Sequence, residues 1–79
     1  MSGTTHEFDA GMMGCADGLS QEWKRQLNDV PVGDVLVTTA HDPVARDDLP
    51  ALARLLGHEV ISVELDGSGA IVVTVRRAK

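Results

Sequence analysis

Glu59-Val60-Ile61-Ser62-Val63-Glu64-Leu65-Asp66-Gly67-Ser68-Gly69-Ala70-Ile71-Val72-Val73-Thr74-Val75 is the stretch on which the fold turns. Two runs rich in β-branched residues, Glu59 to Leu65 and Ala70 to Val75, flank a four-residue reversal whose two glycines permit positive backbone angles. Ile61, Val63 and Leu65 recur at period two against Ile71, Val73 and Val75, while Ser62, Glu64 and Thr74 take alternate positions. Side chains alternate across a strand, so this pattern predicts an antiparallel hairpin in a sheet with one covered face. Helices must supply the cover.

The chain upstream supplies two of them. Leu19, Trp23, Leu27 and Val30 fall on one face of a helix spanning 19–30, which Pro31 and the Gly33-Asp34 turn bring to an end. Val35 to Thr39 follows as a strand, bounded by His41-Asp42-Pro43. Asp47 and Asp48 stand ahead of Leu49-Pro50 and are read as the start of a second helix, with Asp48 as its cap. A preliminary turn over 44–46 is a backward extension of it. Leu49, Leu52, Ala53, Leu55 and Leu56 form the apolar side, and Gly57 the C-terminal stop. Glu7 to Ala10 reads as a first strand after a polar tail, residues 1–6, expected to be disordered. The order is β-α-β-α-β-β. This predicts an α+β fold, a two-layer sandwich of a four-stranded mixed sheet with two helices on one face, in a single domain over 1–79.

Composition narrows the function. The formal net charge is −5, and the few Lys and Arg are scattered, which argues against direct nucleic-acid binding. Arg76, Arg77 and Lys79 are read as a solvated basic end. No apolar stretch has the length of a membrane span and the start lacks signal-peptide features, so a cytoplasmic protein is expected. His6, His41 and His58 lack metal-site spacing, and one cysteine closes no internal disulfide; neither a metal nor a cofactor is expected. No heptad or long apolar stripe is present, so a monomer is the expected state.

That single cysteine, Cys15, lies where the first strand hands over to the first helix. Helix N-termini present unpaired N–H groups and partial positive charge, which favour thiolate over thiol. Asp9 and Asp17 pull the other way, because a nearby carboxylate disfavours a second negative charge. Met12, Met13 and Gly18 flank the cysteine and, with Asp17, are candidate partner contacts, since methionine adapts to varied apolar surfaces. The alternative for Met13 is packing beneath the loop, and for Gly18 relief of a steric conflict. Asp9, Asp42 and Asp48 are read as fold residues, Trp23 as core, and Asp66-Gly67-Ser68-Gly69 as a hairpin loop.

From Phe8 to Arg77 the chain resembles the TusA/SirA family of small sulfur carriers. The resemblance rests on Asp9 ahead of Cys15, on Gly33-Asp34, His41-Asp42-Pro43, Asp48-Leu49-Pro50 and Gly57-His58-Glu59, all in the family's order. It implies that Cys15 accepts sulfane sulfur as a persulfide from a donor such as a cysteine desulfurase or rhodanese. The sulfur then passes to an acceptor protein, in a relay serving tRNA thiolation, cofactor sulfuration or oxidative sulfur metabolism. One departure stands out: where the family reads Cys-Pro-x-Pro, this chain reads Cys15-Ala16-Asp17-Gly18, and Met12-Met13 replaces its Gly-Leu. Two alternatives therefore stay open, a non-catalytic binding or regulatory module on the same fold and a thiol redox sensor.

Overall fold

A computed structural model describes residues 4–14 and 18–79. Six elements follow in the expected order: β1 (Thr5–Asp9), α1 (Leu19–Asp29), β2 (Val35–Ala40), α2 (Ala45–Leu55), β3 (Glu59–Leu65) and β4 (Ile71–Arg76). The strands form one four-stranded sheet in the spatial order β1-β2-β4-β3. β1 runs parallel to β2, and β4 runs antiparallel to both β2 and β3. The C-terminal ends of β1, β2 and β3 therefore share one end of the sheet.

The core forms between the helices and one sheet face. α1 buries Leu19, Trp23 and Leu27, α2 buries Ala45, Leu49, Pro50 and Ala53, and the two central strands add Leu36, Thr38, Ala40, Ile71, Val73 and Val75. Thr38 is the one buried polar residue among those described, and it has a partner: the Trp23 indole Nε1–H donates to its Oγ1 at 2.9 Å. A buried indole without an acceptor carries a desolvation cost, so this bond ties the middle of α1 to the middle of β2.

Several readings are corrected here. β1 begins at Thr5 rather than Glu7, so Thr5 and His6 belong to the sheet and not to a disordered tail. Asp34 holds them: its Oδ1 accepts from Thr4 N–H at 3.0 Å and its Oδ2 lies 2.9 Å from His6 Nε2. The His6 contact, more than the Thr4 N–H, keeps the Asp34 carboxyl below its ordinary pKa. α2 starts at Ala45, which leaves Asp48 inside its first turn with no capping bond. The lead-in is Asp42-Pro43-Val44, where the Asp42 Oδ1 accepts from Val44 N–H at 2.9 Å and its carbonyl from Ala45 N–H at 3.0 Å. Asp42 and Pro43 thus make the turn that leads into the helix, whose N-cap is Val44, and Asp47 and Asp48 in its first turn favour its dipole.

α2 does end at Gly57, which has φ +86°. Gly57 N–H donates to Arg54 O at 3.0 Å and His58 N–H to Ala53 O at 2.9 Å, the paired bonds of a Schellman stop. Leu55, assigned to the apolar side, points outward at 82% exposure because the buried stripe of α2 runs through Ala45, Leu49 and Ala53 instead. The basic end is not simply solvated. Arg77 Nη1–H groups donate to Asn28 O and Val30 O, both at 2.7 Å, closing the C-terminus of α1, and Arg76 pairs with Glu59 across β4 and β3 at 2.8 Å.

The hairpin departs from prediction on one side only. Ile71, Val73 and Val75 are buried, but a register shift between Val60 and Ser62 places Val60 opposite Val75. Ile61, Val63 and Leu65 are left 44%, 37% and 60% exposed. The loop is as expected: Asp66 Oδ1 accepts from the N–H groups of Ser68 and Ala70 and from the Ser68 hydroxyl. Gly69 takes φ +88°.

Replacing Thr38 by Val should lower unfolding stability by about 1–3 kcal/mol, because it strands the Trp23 N–H. Adding Trp23→Phe should not add its full single-mutant cost, a non-additivity that chemical denaturation of both single variants and the double variant reads directly.

Candidate functional site

Cys15, the expected nucleophile, lies with Ala16 and Asp17 outside the described residues. Its frame is well defined on both sides. Ala10 N–H donates to Thr39 O at 2.8 Å, extending the β1–β2 pairing past Asp9, and the chain then turns with Met13 N–H on Ala10 O at 3.1 Å. Asp9 helps to make this turn: its Oδ1 accepts from Gly11 N–H at 2.8 Å, in the structural role expected of it. Gly11 has φ +59°.

Downstream, Leu19 N–H donates to Gly14 O at 3.2 Å and Glu22 N–H to Gly18 O at 3.0 Å. The first of these bonds brings the two ends of the cysteine segment together. One of the first-turn donors of α1 is thereby spent on the loop, a use that helix ends commonly make of groups lacking intrahelical partners.

Gly18 is the N-cap of α1 and sits in the left-handed region, φ +91° and ψ 20°. Among the described residues, a Cβ built there would meet nothing within 4 Å. The glycine therefore answers a backbone angle, in which a Cβ would crowd its own main chain. Proline fixes φ near −65°, so it cannot occupy this conformation. The absent second proline of the Cys-Pro-x-Pro pattern and the presence of Gly18 are one structural fact.

The two methionines part company. Met12 is 84% exposed, while Met13 packs against the buried core and so fits the alternative reading of it. Sequence reasoning missed the neighbours that the topology brings to the same end of the sheet. The α2 lead-in leaves Val44 half exposed, and the β3–β4 loop carries Asp66, whose carboxyl is held below its usual pKa first by the Ser68 hydroxyl bond. His41, at the end of β2, adds a smaller electrostatic contribution to the same shift, so these loops are near neighbours. The signal for this grouping was the parallel sense of β1, β2 and β3, which local patterns do not carry.

The remaining histidines have places in the fold. His6 contacts Asp34, and His58 Nδ1 accepts from Ala78 N–H at 3.0 Å. Burial, then the charges of Arg77 and Lys79, push the His58 pKa down. No group of three metal-ligating side chains is present among the described residues, and no helix among them is long and apolar enough to cross a membrane.

Residues 22–77 match the family model described as Sulfurtransferase TusA. That span is well over half of the chain, and the chain belongs to this family. The match begins beyond Cys15 and β1 and covers most of α1 and the chain from there to Arg77, so it carries the scaffold from α1 to β4 and a general role in sulfur transfer.

Gly18→Ala should cost about 1–2 kcal/mol by forcing a Cβ into the left-handed region, and Gly18→Pro distinctly more. Thermal unfolding of the two variants checks this ordering. A stable Gly18→Pro protein would show that the helix can start from another backbone.

Proposed function

We propose that this member of the TusA family carries sulfur on Cys15 as a persulfide. One observation bears most of the weight: the family transfers sulfur, and the chain holds a single thiol, at the junction of β1 and α1. The scaffold supports the chemistry. α1 is an eleven-residue helix whose N-terminal end follows the cysteine segment, and its partial positive charge favours thiolate.

Loading requires no net oxidation. The Cys15 thiolate attacks the outer sulfur of a donor persulfide, the donor's S–S bond breaks, and the donor cysteine leaves as thiolate. Unloading is the same step in reverse sense: an acceptor thiolate takes the outer sulfur and Cys15 is released as thiolate. The donor is a protein persulfide of the cysteine desulfurase or rhodanese type, and the acceptor a second protein thiol, which places the protein in a cytoplasmic relay. Met12 and Val44, exposed at the loop end of the sheet, offer apolar contact to either partner. Asp17 and Gly18 act more locally, one through its charge and the other by setting the start of the helix.

Intact mass after incubation with a cysteine desulfurase and cysteine should show a gain of one sulfur, removed by reductant and absent from Cys15→Ser. An unloaded wild-type protein with a reactive thiol would point to another sulfur donor or to a redox sensor, and an unreactive thiol to a binding module. Asp17→Asn should lower the Cys15 pKa, because removing a like charge favours the thiolate; alkylation rate against pH measures it.

A further inference from the structure

β3 closes the sheet on the side away from β1, and its only strand partner is β4. One row of its main-chain groups therefore faces outward. Edge strands are commonly blunted by brevity, proline, lysine or a bulge. β3 is seven residues long and contains neither proline nor lysine, and its register shift lies between Val60 and Ser62, so Ser62 to Leu65 pairs regularly. The other edge, β1, is shorter, and its exposed residues are Thr5, Glu7 and Asp9.

The two faces of this edge ask for different chemistry. Val63 stands opposite Val73 and Leu65 opposite Ile71, both buried under the helices. Val63 and Leu65 thus lie on the helix-bearing face, yet 37% and 60% of their surface stays exposed. Glu64 stands opposite Val72 on the open face, in a cross-sheet row that continues through Thr39 to Asp9. That row holds no cation. The row at the other end of β3 does, since Arg76 answers Glu59. Among the described residues Glu64 has no ion-pair partner.

We infer that β3 is a docking edge for an extended segment of a partner protein in which apolar residues alternate with Lys or Arg. Main-chain bonds would extend the sheet by one strand, the apolar side chains would cover Val63 and Leu65, and a basic side chain would supply the cation that Glu64 lacks. A second copy of this chain fits the apolar half of that requirement but brings another Glu64 and another net charge of −5. The inference does not involve Cys15 and stands apart from the sulfur chemistry.

The test uses the full chain, isotopically labelled, with two capped seven-residue peptides, one alternating Val with Lys and one alternating Val with Glu. The Val/Lys peptide should shift the amides of residues 61–65 saturably and protect alternate ones from hydrogen exchange, and its binding should weaken as salt is raised. Glu64→Lys should weaken it roughly fivefold and Val63→Ser by a similar factor, while Glu7→Gln on the far edge leaves it unchanged. Circular dichroism confirms that each variant is folded. Equal binding of the Val/Glu peptide, or shifts spread over Glu7 and Asp9 without protection of β3, would overturn the proposal. Concentration-dependent dimerisation of the protein alone through β3 would also overturn it, because the occupant would then be a second copy.

Discussion

The Trp23–Thr38 hydrogen bond is the constraint on which the arrangement depends. A two-layer sandwich of this size has few ways to fix the slide of a helix along a sheet, because aliphatic contacts are non-directional. Here a wholly buried indole must reach a wholly buried hydroxyl at 2.9 Å, and only one register of α1 over β2 allows it. Arg77 fixes the far end of α1 by taking up two of its last carbonyls. With middle and C-terminus held, the N-terminus of α1 has a set position above the end of β1, where the cysteine segment begins.

Much of this was legible in the sequence because it is periodic. The alternation in Ile71, Val73 and Val75 and the helical spacing of Leu19, Trp23 and Leu27 gave strands, helices and the covered face of the sheet. What failed depended on contacts distant in sequence. Leu55 satisfies a helical apolar pattern but lies off the stripe that meets the sheet, and the start of β1 at Thr5 depends on Asp34, about thirty residues away. The terminal arginines look like a charge run until β4 is paired, when Arg76 falls opposite Glu59 and Arg77 reaches α1. In the site, Cys15 and its position at the strand-to-helix junction could be read directly. The left-handed backbone of Gly18 could not, because glycine is compatible with so many conformations that its presence names none of them.

β3 shows how a local irregularity is transmitted. By simple alternation Ile61, Val63 and Leu65 share a face with one another and should share the core with Ile71, Val73 and Val75. One extra residue at Val60–Ser62 gives Val60, in place of Ile61, the inward position opposite Val75, while Val63 still faces Val73 and Leu65 still faces Ile71. Val63 and Leu65 keep the inward-facing side of the sheet but remain 37% and 60% exposed. The apolar pattern in the strand was real, and its burial is only partial.

The same balance of local rule against global frame governs the cysteine segment. In the Cys-Pro-x-Pro pattern, rings restrict φ directly and reduce the entropy that the loop loses on folding. This chain gives up that means of restriction: Gly11 and Gly18 are among the most permissive residues available, and both adopt positive φ. The described residues on either side are held by hydrogen bonds instead, Gly11 N–H on Asp9, Met13 N–H on Ala10 and Leu19 N–H on Gly14. Bonds of this kind are each worth about 1 kcal/mol net and can open one at a time, whereas a proline ring cannot.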